Sequence, residues 1–203
     1  MALFSHPHLL NSARWKNMRI GLLGGSFDPA HEGHVHISIA ALKALELDAV
    51  WWLVSPQNPL KSKKPLPTTE RVQIAEKLIE HPKILVSTIE DELQTQITYH
   101  TIRKIKRAFP YTEFAWITGM DNALSLHTWQ NWQELLGEIC MLHLSRAPIQ
   151  SLVRSCPLRM LSHHKHINIK RGAARPLDSG TTYWMMQKNI VEISSSDIRK
   201  KQS

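Results

Sequence analysis

The chain has 203 residues, 42% of them hydrophobic and 21% charged, which is enough for one buried core and too apolar for a disordered chain. Its two cysteines, Cys140 and Cys156, form no C-x-x-C or zinc-type spacing, which argues against a disulfide framework and for a reducing compartment, the cytoplasm. The formal charge of +8 suits polyanionic partners such as nucleic acid or phosphate-bearing small molecules, and no run approaches the roughly 18–20 apolar residues of a membrane span.

Met1 to Asn17 lacks the pattern of a cleavable signal. It reads as a flexible extension over residues 1–17, with Met18 a possible alternative start, and residues 18–203 read as a single domain. From there short apolar runs alternate with amphipathic ones. Strands are expected at Arg19–Leu23, Ala49–Val54, Ile84–Ser87, Glu113–Ile117, Cys140–Leu144 and Ile190–Ile193. Helices are expected at Val35–Leu45, Thr69–Glu80 and Tyr99–Ala108, with Thr68 or Thr69 capping the second. Ser145 to Thr182, with Pro148, Pro157 and Pro176 and many basic residues, is expected to be loops or a poorly ordered excursion. Strand–helix alternation of this kind implies an α/β fold with an open, doubly wound parallel sheet. Ligands of such sheets sit beyond the carboxyl ends of the strands, here after Leu23, Val54, Ile117 and Ile193.

The strongest chemical signal follows the first strand: Gly24-Gly25-Ser26-Phe27-Asp28-Pro29-Ala30-His31-Glu32-Gly33-His34. Two glycines allow a sharp turn and close approach of a ligand. Gly33 lies at a helix start, whose free N–H groups and dipole favour an anion. His31 and His34, three apart, face one side of the first turn and form a candidate phosphate-binding pair. The run is neither G-x-G-x-x-G nor a P-loop, and the histidines are not H-E-x-x-H. A metal reading finds a third imidazole in His36 but no evident carboxylate beyond Glu32.

Ser55-Pro56-Gln57-Asn58-Pro59-Leu60-Lys61 is a proline-framed loop that delivers Lys61 to the carboxyl edge as a point charge for phosphate; a plain basic surface loop is the alternative. Asp121 in Gly119-Met120-Asp121-Asn122 is placed either to accept ribose hydroxyls or to cap the next helix. Trp129 and Trp132, at i, i+3, read as core when judged by residue type, although an indole also stacks on a heteroaromatic ring. Ile193-Ser194-Ser195-Ser196-Asp197-Ile198-Arg199 combines hydroxyls, helix-start N–H groups and a guanidinium, more than capping requires.

Residues 24–34 resemble the H-x-G-H signature of the nucleotidyltransferase superfamily. Gly25 to Pro29 are most similar to the bacterial nicotinate-nucleotide adenylyltransferase family, and the likeness runs from about Met18 to Arg199. It implies a Rossmann-like sheet of the nucleotidyltransferase type and adenylyl transfer from ATP to nicotinate mononucleotide, with Mg²⁺ accompanying ATP and no protein metal site. It further implies His31, His34, Lys61 and Arg199 as catalytic residues. Gly24, Gly25, Ser26, Phe27, Gly33, Ser194, Ser195 and Ser196 would hold ATP. Thr98, Tyr99, Gly119, Asp121 and Trp129 would line the mononucleotide pocket, with Trp129 stacking on the pyridine. Three positions depart from the family pattern: Leu60 before Lys61, His100 after Tyr99, and Ser196 for threonine. The other readings are transfer to another phosphate acceptor such as phosphopantetheine, a basic nucleic-acid-binding protein, for which no motif is present, and a degenerate, inactive member acting as a scaffold. The expected partners are therefore small molecules, not nucleic acid or membrane, in a monomer or small homo-oligomer.

Overall fold

The computed structural model describes residues 6–56, 65–145, 156–170 and 175–186. Seven strands form one sheet: β1 (Arg19–Gly25), β2 (Ala49–Val54), β3 (Ile84–Ser87), β4 (Glu113–Gly119), β5 (Cys140–Ser145), β6 (Lys165–Ile169) and β7 (Thr181–Met186). The order is β3-β2-β1-β4-β5-β7-β6, and every pairing is parallel. The helices are α1 (Glu32–Ala44), α2 (Thr68–Leu78), the single turn α3 (Ile89–Glu92), α4 (Thr98–Ala108), α5 (Met120–Ser125) and α6 (Trp132–Glu138), with short 3₁₀ turns between some of them.

The central strands are runs of apolar residues because helices cover both faces of the sheet; all six residues of β2 are buried. One face packs Ile37, Ala40, Ala41 and Ala44 of α1 and Ala75 of α2 against Leu23, Val50, Trp52 and Ile117. The spacing of the α1 residues, i, i+3, i+4 and i+7, is one helical stripe. The other face packs Ile102 and Ile105 of α4, Ala123 of α5, and Leu135 and Leu136 of α6 against Leu22, Trp51, Trp116 and Met141.

Three expectations are corrected. The 145–182 region is not all loop: β6 lies within it, β7 begins at its end, and a 3₁₀ turn spans Pro157–Met160. Residues 6–17 are not loose, since Leu9–Trp15 form a 3₁₀ helix whose Trp15 is fully buried. Neither threonine caps α2; its N-cap is Pro67, without a side-chain cap, and the Thr68 hydroxyl accepts from Arg71 instead. The strand expected at Ile190–Ile193 lies outside the described residues.

Candidate active site

The strand order reverses between β1 and β4, because the chain runs outward from β1 through β2 to β3 and then crosses back to β4. A doubly wound sheet opens a crevice at such a point, beyond the carboxyl ends of the two strands. Here those ends are Gly25 and Gly119.

From Gly25 the chain turns through Phe27, whose φ of 46° is left-handed, and through a cis Asp28–Pro29 peptide into α1. The helix start is capped by its own two histidines. His31 is the N-cap, and its Nδ1 accepts from the Gly33 N–H at 3.1 Å. His34 reaches back, and its Nδ1 accepts from the His31 N–H at 3.2 Å. This reciprocal box is normally built from a Ser/Thr and a Glu/Gln; here imidazoles do both jobs. Because each Nδ1 accepts, the proton of each neutral ring sits on Nε2, so both rings carry a donor at their outer nitrogen. The ring centroids are 3.9 Å apart.

A rigid backing fixes the pair. Phe27 stacks on Trp52 at 4.9 Å, nearly parallel, and touches the His34 ring at 4.8 Å. The Trp52 indole N–H donates to the Ser38 hydroxyl at 2.7 Å, which donates in turn to the His34 carbonyl at 2.8 Å. Ser26, on the turn itself, is buried, and its hydroxyl has no hydrogen-bond partner among the described residues. A buried hydroxyl in that state has capacity for an incoming oxygen.

The reason for the glycines differs from the one expected. Gly24 and Gly25 belong to β1, and the left-handed residue of the turn is Phe27. A Cβ on Gly24 would lie 2.4 Å from the Trp116 ring, so that glycine makes room for an indole.

At the end of β4, Gly119 is the N-cap of α5 and makes no side-chain cap bond. The Asp121 carboxylate curls back over Gly119, with Oδ1 2.6 Å from where a Cβ would stand. Thr98 opens α4, and neighbouring Tyr99 accepts from Arg103 through its hydroxyl at 3.3 Å. Trp129 and Trp132 do not share a helix face as their spacing suggests: Trp129 ends a 3₁₀ turn, Asn131 is left-handed, and α6 starts at Trp132. Both rings, together with Tyr99, pack against the face of the sheet that carries Trp116. Phe27 and Ala30 of the histidine turn pack against the opposite face. The two groups of candidate residues thus approach the switch point from opposite sides. Lys61, Ser194, Ser195, Ser196 and Arg199 lie outside the described residues.

Four buried polar residues near the carboxyl edge escaped the sequence reading. Thr118 Oγ1 and His143 Nδ1 are 2.5 Å apart at the ends of β4 and β5, and burial pushes the His143 ring down to about 3, which keeps it neutral. Arg71 on α2 is fully buried; it shares an i, i+4 stripe with Ala75, the one signal that it faces inward. Glu90, in the turn after β3, is 5% exposed. Its carboxylate accepts from the Thr101 hydroxyl at 3.0 Å and from the Ser55 hydroxyl. Burial pushes it up to about 7, Asp91 adds to the rise, and the two hydrogen bonds oppose it.

That shift sets a pH dependence of stability. Between the ordinary value of 4.5 and about 7, the folded chain keeps a proton that the unfolded chain has released. Stability therefore falls as pH rises through that window and stays lowered above it. Glu90→Gln keeps an acceptor without the charge and is expected to gain on the order of 2–3 kcal/mol at pH 8, with a much smaller gain at pH 5. Urea midpoints at the two pH values check this, and equal shifts at both would refute it.

A helix start capped by two histidines, at the switch point of an all-parallel sheet, defines a doubly wound α/β protein. The chain belongs to the cytidylyltransferase-like family, whose model matches residues 22–201. It is 38% identical over 187 residues to the probable nicotinate-nucleotide adenylyltransferase of Ruegeria sp. (strain TM1040), covering 91% of this chain and 97% of that one. It is 47% identical over 120 residues to the probable nicotinate-nucleotide adenylyltransferase of Parvibaculum lavamentivorans, covering 59% and 60% of the two chains. In fold it is similar to Plasmodium falciparum nicotinic acid mononucleotide adenylyltransferase complexed with NaAD, with a TM-score of 0.65 at 19% identity, over 90% of this chain and 83% of that one. Among the described residues no helix is long and apolar enough to cross a membrane.

Proposed function

We propose that this chain transfers the adenylyl group of ATP to nicotinate mononucleotide, forming nicotinate adenine dinucleotide and pyrophosphate. The observation that carries the reading is the helix start at the switch point, where the Nδ1 atoms of His31 and His34 cap the first backbone N–H groups of α1. The likeness to relatives with that name over nearly their whole length supports the substrate pair.

The mononucleotide phosphate oxygen attacks the α-phosphorus of ATP in line. One P–O bond forms, the α–β bridge breaks, and pyrophosphate leaves with its electron pair. The attacking oxygen is already ionised at neutral pH, so no general base is needed and no covalent enzyme intermediate forms. Catalysis is then positioning and stabilisation of charge on the transferring phosphoryl group. His31 and His34 donate from Nε2, and the α1 dipole adds to their field. Lys61 and Arg199 add positive charge, and Ser194, Ser195 and Ser196 add donors. Thr98, Tyr99, Asp121 and Trp129 take the mononucleotide, with Trp129 stacking on the pyridine.

Among the described residues no group of three His, Cys, Asp or Glu forms a metal cage. Mg²⁺ would arrive on the ATP phosphates, as is usual for an ion that keeps most of its water, and would supply charge neutralisation there. The test is pyrophosphate release with ATP and Mg²⁺, run in parallel on nicotinate and nicotinamide mononucleotides. Turnover is expected with the acid, and its ratio to the amide measures what His100 does to selectivity. No release with either would overturn this reading in favour of another acceptor, and phosphopantetheine would be tried next.

A further inference from the structure

The Arg71 guanidinium has five N–H donors, and each meets one oxygen. Nε donates to the Leu66 carbonyl at 2.7 Å. One terminal nitrogen donates to the carbonyls of Ser26 at 2.5 Å and Ser55 at 2.8 Å. The other donates to the Pro56 carbonyl at 3.1 Å and the Thr68 hydroxyl at 3.0 Å. Burial lowers its affinity for the proton, opposed by the charges of Asp28 and Asp91. None of the five acceptors is a carboxylate.

A buried cation held by neutral oxygens gives up hydration without the direct ion pair that usually compensates, so its value for stability alone is modest. Its geometry is more informative. Ser26 lies on the histidine turn after β1, Ser55 and Pro56 follow β2, and Leu66 and Thr68 open α2. Three separate segments of the carboxyl edge meet on one planar group. Asp28 strengthens the junction, since its carboxylate accepts from the Leu66 N–H at 3.4 Å. Ser55 is held from its other side as well, where its hydroxyl donates to Glu90.

We propose that Arg71 is a positioning residue for the transfer reaction: it fastens the turn that carries His31 and His34 to the segment following β2, so that the groups around the phosphates keep one spacing. The inference rests on the reading of the site as a phosphate-transfer site. A lysine cannot replace the arginine, because three N–H donors on a tetrahedral nitrogen cannot serve five acceptors arranged around a plane.

The test uses the full chain with Arg71→Lys and Arg71→Ala, and folding is followed by near-UV circular dichroism. Arg71→Lys is expected to lose on the order of 10–100-fold in kcat, the effect of a small misplacement, while KM for ATP barely moves. Millimolar guanidinium should restore turnover to Arg71→Ala, and ammonium should not. Without any substrate, amide hydrogen exchange in Arg71→Lys should rise together at Ser26–Asp28 and Ala30 and at Ser55, and stay unchanged in β4 and β5. Wild-type kcat in folded Arg71→Lys, or exchange rising at only one of the two segments, overturns the proposal. If Arg71→Lys does not fold, Thr68→Val removes one acceptor and takes its place. A smaller joint rise then supports the clamp, and a rise confined to α2 overturns it. A wild-type chain that does not turn over this substrate pair overturns the substrate reading, and the exchange result then decides on the clamp by itself.

Discussion

His34→Ala is expected to lower kcat by on the order of 10²–10³, the usual cost of removing one donor from a preorganised charge-stabilising site. The same change removes an acceptor from the capping box, since His34 Nδ1 takes the His31 N–H, and a lost cap costs about 1 kcal/mol of stability. The two roles sit on different nitrogens of one ring, so they can be separated. Asparagine is a good acceptor at helix starts but offers nothing at the position of Nε2. His34→Asn should therefore recover most of the stability that alanine loses while its kcat stays within a few-fold of the alanine variant. Thermal melts and steady-state rates on both variants check this. Turnover in His34→Asn within tenfold of wild type would show that the ring serves the helix and not the phosphates.

The central sheet was legible because its strands are buried on both faces. Ala49–Val54 and Glu113–Ile117 are near-continuous apolar runs, and a strand covered by helices on both sides has no other way to be written. The two strands that were missed fail that criterion for different reasons. Among the described residues β6, Lys165–Ile169, pairs only with β7, and exposure at that edge lets it carry Lys165, His166 and Asn168. β7 held a signal, with Thr181, Thr182, Tyr183 and Trp184 all strand-favouring residues after Gly180, but it adjoins a basic, proline-interrupted stretch whose composition reads as loop.

The histidine turn was legible as a motif, and its internal wiring was not. Spacing brought His31 and His34 to one side of a helix start; only coordinates show that each Nδ1 caps a backbone N–H and so directs the proton to Nε2. Gly24 shows the opposite case, a correct emphasis with a different cause: the space its missing Cβ leaves is filled by Trp116. Arg71 and Glu90 were invisible for a shared reason. Charged residues on helices and turns are normally solvated, and what marks these two is contact with segments 11 to 45 positions away in the chain.

The second large effect concerns stability. Trp15→Ala is expected to cost about 3–5 kcal/mol, the range for deleting a buried aromatic side chain. Trp15 is fully buried and meets Trp51 of β2 edge-on at 4.9 Å. Its indole N–H donates to the Asn11 side chain at 2.9 Å, and its carbonyl accepts from the Thr112 hydroxyl at 2.7 Å. The segment before it is tied down as well: the Pro7 carbonyl accepts from the Ser87 hydroxyl at 3.0 Å, and the Leu9 N–H donates to Glu92 at 3.1 Å. For a domain of this size the loss corresponds to a fall in Tm of roughly 6–20 °C. Trp15→Phe keeps most of the apolar area and gives up the hydrogen bond to Asn11, so it should fall between alanine and wild type. A chain begun at Met18 would lose the whole of this packing and should melt no higher than Trp15→Ala. If the shortened chain instead melted within about 2 °C of the full one, a change of about 0.5–1 kcal/mol at most on the same scale, residues 6–17 would be an ornament on the sheet and not part of its core.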